Sequence, residues 1–275
     1  MKRKVYEQLL EWKSQEHHKP LILNGVRQCG KTYVLKEFGR QEFDSLAYVS
    51  CDRNVNLQAI YSGDFDVARI IQGLSALTGV DIIPGKTLIF LDEVQAFPQA
   101  LEALKYFCED APEYHIVVAG SLLGVALHAG VSFPVGKVQT LRLFPMDFEE
   151  FLMAMGEEQL LKLMHSHDYE LMNAFHEKLK DLLRQYYYVG GMPEVVKAFA
   201  ENKLLNQVRS LQNEILSNYA SDFSKHAPSQ EVPRIDMVWQ SILGQLSKEN
   251  KKFVYGVLKK GGRVKEFELA IQWLV

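Results

Sequence analysis

The chain has 275 residues, enough for one large domain or two ordinary ones, and its hydrophobic fraction of 47% suits a packed globular protein. A formal net charge of -3 excludes a polycation that holds nucleic acid by bulk electrostatics. A short basic run, Lys2, Arg3 and Lys4, opens the chain. Such runs are usually solvated faces, and we interpret this one in that way.

The cysteines and the apolar stretches indicate the compartment. Cys29, Cys51 and Cys108 form neither a disulfide framework nor a zinc pattern, and a reducing cytoplasm fits them best. The most apolar stretch, 116–131, falls short of the ~18 unbroken apolar residues that a spanning helix needs. With no signal peptide visible, we expect a cytoplasmic protein without a membrane partner. Five histidines lack a consistent spacing and are expected to face solvent: His17, His18, His165, His167 and His176.

The first half of the chain alternates between helical and strand patterns. An amphipathic helix is expected from about Val5, and short apolar runs predict buried strands at 21–23, 46–49, 87–91, 114–119 and 138–143. Helices are expected at 33–38, 55–61, 67–77 and 98–109. This alternation predicts an α/β fold with a parallel, three-layer sheet.

The pattern changes at Pro145, after which the sequence predicts almost only helices. They are expected at 148–155, 158–164, 169–188, 194–200 and 204–219. We therefore predict a first domain over 1–150, a helical region over 151–227 and a third region over 228–275, with a turn-rich boundary before the last.

The strongest motif is GVRQCGKT, from Gly25 to Thr32, which matches G-x-x-x-x-G-K-[ST] between a strand and a helix. Its glycines let the backbone curl so that N–H groups point at phosphates, and the following helix adds its positive end. Lys31 is expected to neutralise charge on the γ-phosphate, and Thr32 to offer its hydroxyl to Mg²⁺. The motif predicts a nucleotide site made by Gly25, Val26, Arg27, Gln28, Cys29, Gly30, Lys31, Thr32 and Tyr33.

A second motif places two acids at the end of the strand expected at 87–91. Asp92 is expected to hold Mg²⁺, mostly through water, and Glu93 to orient and deprotonate the attacking water. A second acid beside the magnesium acid suits water activation, so hydrolysis is favoured over transfer to a small molecule. The sequence has no N-K-x-D string, which favours ATP over GTP by default.

Three further features have two interpretations each. Ser121 follows the fourth predicted strand and is a candidate for contact with the γ-phosphate or the water, although a plain turn serine is the alternative. Cys29 could sense oxidation or only fill space inside the loop. The tyrosines at 186–188 could stack on a base, or belong to the core.

The chain resembles the AAA-type P-loop ATPases of bacteria and archaea that carry a C-terminal nuclease-like domain of unknown function. The resemblance rests on the phosphate-loop motif, FLDEVQ at 90–95, Gly120-Ser121, FPMDFEEFL at 144–152 and GGMPE at 190–194. It implies an AAA-like core, a helical lid, a winged-helix region and then the nuclease-like domain. Such proteins commonly show Gly-Arg just before 144, where this chain has Gly136-Lys137. Arg142 is the nearest arginine and hence the candidate arginine finger.

The last region, 228–275, predicts three short helices that look like the start of a winged helix. The sequence stops within a helical pattern, so we expect the gene to continue past Val275. Its basic residues suit either a phosphate backbone or a protein-packing module: Lys259, Lys260, Arg263 and Lys265.

Together these features predict Mg²⁺-dependent ATP hydrolysis by a switch or motor whose lid is coupled to an attached effector. The predicted catalytic residues are Glu93, Lys31, Ser121 and Arg142, and the predicted metal ligands are Thr32 and Asp92. The alternative is a nucleic-acid-binding regulator that keeps ATP as a structural ligand, and a weaker one is an interaction scaffold of a defence or toxin-related system. A DNA or protein partner and a homo-oligomer are both left open.

Overall fold

The computed structural model describes residues 1–63, 65–120, 134–250, 252–259 and 261–274. The chain divides into two compact units, Met1–Leu204 and Leu205–Val275. The three-part division expected from the sequence, with boundaries near 150 and 227, stays a prediction. Among the described residues, no helix combines the length and the apolar character needed to cross a membrane.

The first unit opens with the predicted alternation of strands and helices. Its strands are β1 (Leu21–Gly25), β2 (Ser45–Ser50), β3 (Thr87–Asp92), β4 (His115–Gly120) and β5 (Gln139–Leu143). The helices between and before them are α1 (Val5–Ser14), α2 (Lys31–Glu42), α3 (Leu57–Ile60), α4 (Val67–Thr78) and α5 (Gln99–Asp110). Each strand lies within two residues of its expected bounds, so the predicted pattern is confirmed.

The described strands form one parallel sheet in the order β2-β3-β4-β1-β5. Because the pairing is parallel, all the carboxyl ends meet at one edge, where ligands bind in open α/β sheets. Within that edge Ser50 lies opposite Asp92, and Asn24 lies between Gly120 and Arg142. The sheet therefore brings the ends of β1 and β3, which carry the two motifs, to the same side of the molecule.

Apolar side chains cover both faces of the sheet. Along β3, Ile89 and Leu91 pack on the side of α4 and α5, whereas Leu88 and Phe90 pack on the side of α1 and α2. Every residue of β3 and of β4 is buried. Continuous apolar runs of this kind are what a parallel sheet with helices on both faces requires. The expected three-layer α/β fold is confirmed.

After β5 the first unit is helical, with α6 (Phe148–Ala154), α7 (Glu158–His165), α8 (Tyr169–Ala174), α9 (His176–Val189) and α10 (Pro193–Asn202). The single helix expected over 169–188 is wrong. Phe175 has φ −105° and ψ 9°, outside the helical region, and separates α8 from α9. No glycine or proline marks this break, so the residue pattern could not reveal it.

The second unit consists of α11 (Leu205–His226), α12 (Val232–Leu246), α13 (Tyr255–Leu258) and α14 (Val264–Leu274). Its core is apolar and includes Phe223, Ile235, Val238, Phe267 and Ala270. The buried amide of Gln245 donates to the Val254 carbonyl and accepts from the Val254 N–H, both at 3.0 Å. This pair of bonds fixes the extended segment before α13. The winged-helix assignment stays a prediction.

Candidate active site

A tight loop joins β1 to α2 at the carboxyl edge of the sheet, and two of its glycines are required for different reasons. Gly30 has φ +95°, in the left-handed region that side chains disfavour. At Gly25 a Cβ atom would lie 2.3 Å from the Leu143 carbonyl oxygen, so close approach to β5 excludes a side chain there. The loop therefore turns tightly beside β5, and α2 starts at Lys31 directly after it.

Lys31 folds back onto the loop that it follows. Only 7% of the residue is exposed, and its Nζ donates to the carbonyl oxygens of Gly25 at 2.7 Å and Val26 at 2.8 Å. Burial lowers the pKa of the ammonium, while the negative charges of Glu93 and Asp92 act in the opposite direction. The protonated ammonium places a positive charge against the loop, and its hydrogen-bond partners there are two neutral backbone carbonyl groups.

The buried carboxylate of Asp92 is the polar centre of this edge. Its Oδ2 accepts from the Thr32 hydroxyl at 2.8 Å and from the Tyr48 hydroxyl at 3.3 Å, and its Oδ1 accepts from the Glu93 backbone N–H at 3.1 Å. A hydroxyl beside a carboxylate is a hard oxygen pair of the type that Mg²⁺ prefers. The two residues expected to bind the metal are in direct contact.

Glu93 follows Asp92 in a strained backbone conformation. Its φ of 51° lies in the left-handed region, which is uncommon for a residue with a side chain and often occurs at functional sites. Its half-buried carboxylate accepts a hydrogen bond from the side-chain amide of Gln95. Gln95 lies within the FLDEVQ motif but was not singled out by residue chemistry. Its amide now orients the acid that was predicted to act as the base.

Tyr48 was missed by sequence reasoning. It lies on β2, opposite Phe90 of β3, and its hydroxyl reaches the Asp92 carboxylate. The Nζ of Lys36 lies 3.5 Å from the centre of its ring, over the face. Burial raises the pKa of the Tyr48 phenol, as does the nearby Asp92 charge, so the hydroxyl keeps its proton and can donate. A short apolar run identifies β2, but only the strand order shows that this tyrosine lies beside Asp92.

The interpretation of the opening basic run as a solvated face is wrong for Arg3. Its side chain is only 4% exposed and lies against the phosphate loop, where Nη1 donates to the Cys29 carbonyl at 2.8 Å. Nη2 donates to the Phe144 carbonyl at 2.6 Å. Lys2 and Lys4 do face solvent. Only distant residues can provide the partners of Arg3, so a local charge pattern could not reveal its burial.

Two motif segments of the family resemblance meet beside the loop. The Met146 N–H donates to the Gly191 carbonyl at 2.6 Å, and a Cβ at Gly191 would lie 2.2 Å from the Met146 carbonyl oxygen. The Cγ of Pro193 would lie 3.7 Å from a Cβ built on Gly30. The FPMDFEEFL and GGMPE segments are therefore packed together, and GGMPE also approaches the phosphate loop.

The structure bears on two of the features with alternative interpretations. Burial raises the pKa of the Cys29 thiol, which favours the space-filling interpretation over oxidation sensing. Of the three tyrosines, Tyr186 is partly buried: its ring packs against Phe148 and Phe151, and its hydroxyl donates to the Met146 carbonyl at 3.0 Å. Tyr187 and Tyr188 are exposed, so the core interpretation fits Tyr186 alone.

Other predicted residues stay predictions. Ser121 lies outside the described residues. Arg142 is exposed on the edge strand β5, opposite Asn24 of β1. Lys137, which replaces the arginine expected from the resemblance, forms an exposed ion pair with Glu109 at 2.8 Å. That pair raises the pKa of Lys137 and lowers the pKa of Glu109.

The remaining loop residues differ in accessibility. Val26, Gln28 and Tyr33 are exposed, whereas Arg27 is partly covered. A cavity of about 540 Å³ begins beside Tyr33 and extends between the first turn of α1 and one face of α2, with Met153 of α6 on its wall. It is large enough for a nucleoside and opens next to the phosphate loop.

The chain is similar to known protein families and solved structures. Residues 17–152 match a family model described as an AAA domain, and residues 180–275 match one described as a domain of unknown function. The fold is similar to a Walker-type ATPase of Pyrococcus abyssi, with a TM-score of 0.55 and 14% identity over 100% of this chain and 96% of that one. Drosophila ORC bound to DNA aligns with a TM-score of 0.44 and 13% identity over 98% and 84%. The sequence matches no curated protein.

The matched AAA domain covers the whole β-sheet and both motifs, and the similarity to the Pyrococcus ATPase extends over the fold. These two findings support an AAA-type P-loop ATPase. The C-terminal nuclease-like domain that the resemblance implies stays a prediction, as do the roles assigned to single residues.

Proposed function

We propose that the chain binds ATP together with Mg²⁺ and hydrolyses it, and that the reaction switches an attached effector. The observation that carries the proposal is the 2.8 Å hydrogen bond between Thr32 and Asp92 beside the buried Lys31. A hydroxyl, a carboxylate and an ammonium at the N-terminus of a helix suit a metal–triphosphate complex.

Each residue then has a defined task. The N–H groups of the phosphate loop bind the α- and β-phosphates, and Lys31 exchanges its two carbonyl partners for phosphate oxygens. Thr32 and Asp92 would hold magnesium, which when bound neutralises phosphate charge. Glu93, oriented by Gln95, accepts a proton from the water whose oxygen attacks the γ-phosphorus, and ADP leaves.

The cavity beside Tyr33 is the proposed site of the nucleoside part of ATP. It is continuous with the first turn of α2, so a base there would be close to phosphates held by the loop. Hydrolysis by the isolated chain is expected to be slow, because the absence of a positioned arginine finger can cost ~10³ to 10⁵ in rate. Arg142 is the candidate finger, and a partner or a second copy would have to complete its placement.

The second unit bears on the nature of the effector. Lys259 forms an ion pair with Glu266 at 3.2 Å, and α14 exposes Val264, Lys265, Glu268 and Leu269 on its surface. A helix surface of mixed charge with exposed apolar residues suits a protein partner better than a phosphate backbone. We therefore propose that the effector is a protein, and keep the nucleic-acid-binding regulator as the alternative.

The test compares three variants with the wild type by calorimetric ATP titration and by phosphate release. Lys31→Ala should lose ATP binding, because the charge in the loop is removed. Glu93→Gln should bind ATP with Mg²⁺ and not hydrolyse it. Lys178→Ala is the matched control, since this lysine lies in a surface ion pair, and it should change neither quantity.

Unchanged ATP affinity in Lys31→Ala would contradict the site assignment. Equal turnover in Glu93→Gln and wild type would show that Glu93 is not the base. Tight ATP binding by the wild type without any turnover would favour the alternative, in which ATP is a structural ligand.

A further inference from the structure

We propose that Arg3 is a positioning residue of the phosphate site, and that it fixes the Cys29–Gly30 peptide group so that the Gly30 N–H is presented to phosphate. The inference rests on the proposed function, since it concerns the same site. It assigns a task to a residue far from the loop in sequence, whose side chain is almost completely buried.

Arg3 uses all three parts of its guanidinium at once. Its Nη1 donates to the Cys29 carbonyl at 2.8 Å and its Nη2 to the Phe144 carbonyl at 2.6 Å. Its Nε lies 3.1 Å from Glu150 Oε1, off the hydrogen-bonding direction, so that contact is an ion pair without a hydrogen bond. One planar group therefore connects the loop, the end of β5 and the start of α6, which a flexible ammonium could not do.

The consequence for the loop follows from peptide geometry. A trans peptide is planar, and its C=O and N–H point in opposite directions. The described backbone contains no cis peptide bond. With the Cys29 oxygen held by Arg3, the N–H of Gly30 must therefore point away from Arg3. The left-handed φ of Gly30 is then the conformation in which α2 can start from this fixed peptide.

Glu150 in turn is held in place without help from Arg3. Its Oε1 accepts from the Lys4 N–H at 2.7 Å, and its Oε2 accepts from the Asp147 N–H at 3.3 Å in the capping box of α6. Both donors are backbone N–H groups, so they orient the carboxylate independently of the Arg3 side chain. The carboxylate offers Arg3 a fixed negative partner, so the orientation of the guanidinium is determined from both ends.

Glu158 provides a control for the same N-terminal segment. Its carboxylate pairs with Lys2 at 2.8 Å, so Glu158→Gln removes an ion pair that holds the residue before Arg3 against α7. Glu158 belongs neither to the phosphate loop nor to the lining of the cavity beside Tyr33. A general loosening of the N-terminal segment would appear in both variants, whereas loss of the loop contact is specific to Arg3.

The experiment titrates ADP and ATP into the full chain and its variants at a temperature where thermal unfolding curves show all of them folded. Arg3→Ala should weaken the affinity for both nucleotides about 10- to 100-fold, the range for losing a charge-assisted hydrogen bond. Glu158→Gln should change it less than about 2-fold. Added guanidinium ion should restore part of the affinity of Arg3→Ala, and methylammonium should not.

If the wild type binds nucleotide and the affinity of Arg3→Ala is within 2-fold of the wild-type value, the proposal is overturned. The proposed function would still stand in that case. If Arg3→Ala does not fold, Arg3→Lys replaces it, since it keeps the charge near Glu150 but not the fork. Wild-type affinity in Arg3→Lys would equally overturn the proposal. A wild type that binds neither nucleotide would overturn the proposed function itself.

Discussion

Two buried polar groups lie at opposite ends of the parallel sheet, and they differ in how they are held. At the carboxyl ends, Asp92 accepts three hydrogen bonds, and Thr32 and Tyr48 are two of the donors. At the amino ends, the rings of His18 and His115 stack 3.8 Å apart. Neither ring nitrogen of His115 has a hydrogen-bond partner among the described residues.

The histidine pair is held by aromatic packing. The Trp12 ring meets the two imidazoles edge-on, at 5.5 Å from His18 and 5.4 Å from His115, and Phe43 packs against His115 at 5.1 Å. Burial lowers the pKa of His18, and lowers the pKa of His115 to about 4. Burial of a titratable group therefore does not by itself define a site. What distinguishes the carboxyl edge is a set of donors and acceptors on loops with left-handed backbone.

The largest effect is expected from adding a side chain at Gly25, where the phosphate loop packs closely against β5. In Gly25→Ala the new methyl group would lie 2.3 Å from the Leu143 carbonyl oxygen, so the loop or β5 must move. We expect the free energy of unfolding to fall by about 1–3 kcal/mol or more, together with loss of ATP binding. Chemical denaturation and ATP titration of the same variant would measure the two quantities.

Gly244→Ala is the control for this substitution. It lies within α12, where a Cβ would meet nothing within 4 Å, so alanine should stabilise by up to about 1 kcal/mol. A Gly25→Ala protein as stable as the wild type and still binding ATP would show that the carboxyl edge tolerates movement.

The site at the carboxyl ends of the strands could largely be predicted from the sequence, because the phosphate-loop motif has a fixed spacing and β3 is a continuous apolar run. Both signals are local. The expectation that His18 faces solvent is wrong, because its burial depends on Trp12 and on His115, a residue far along the chain. His17 does face solvent.

The undetected parts of the site have the same cause. Arg3 is buried by Glu150 and by carbonyl groups of two other segments, and Tyr48 reaches Asp92 only because β2 lies beside β3. A sequence pattern shows that each strand exists, but not its neighbours. Tertiary partners therefore decide which charged or phenolic groups belong to the site.

The next prediction concerns the amino edge and pH. His115 is neutral in the folded protein down to about pH 4, whereas the unfolded chain takes up its proton near the ordinary pKa of 6.5. His115 therefore does not lower the free energy of unfolding above pH 6.5. It lowers that free energy progressively as pH falls from 6.5 towards 4. The loss expected from this residue is on the order of 1–3 kcal/mol. Urea denaturation at several pH values would measure it.

His115→Phe sharpens the measurement, because it keeps an aromatic ring against Trp12 and removes the proton site. The difference in slope between the two proteins below pH 6.5 isolates His115 from carboxylates that titrate in both. Equal slopes would mean that the imidazole is not held neutral, and the contrast between the two edges would then weaken.

The smallest effect is expected at Tyr48, because one neutral donor on Asp92 is lost while the shorter bond from Thr32 remains. In Tyr48→Phe the ring still packs against Phe90 and still lies under Lys36. We expect the Mg²⁺ concentration for half-maximal ATP hydrolysis to rise about 2- to 10-fold, the range for one neutral hydrogen bond, with a smaller change in maximal rate.

The control for Tyr48 is Tyr106→Phe, since Tyr106 stacks on Phe65 beside a separate cavity and should leave the Mg²⁺ dependence unchanged. The maximal rate and the Mg²⁺ concentration for half-maximal hydrolysis must be measured separately. A general loss of folded protein lowers the maximal rate and leaves that Mg²⁺ concentration unchanged. A shift in the Mg²⁺ requirement alone therefore assigns the Tyr48 hydroxyl to the orientation of Asp92. An unchanged requirement would leave the hydroxyl as a packing contact, like the aromatic contacts at the other edge of the sheet.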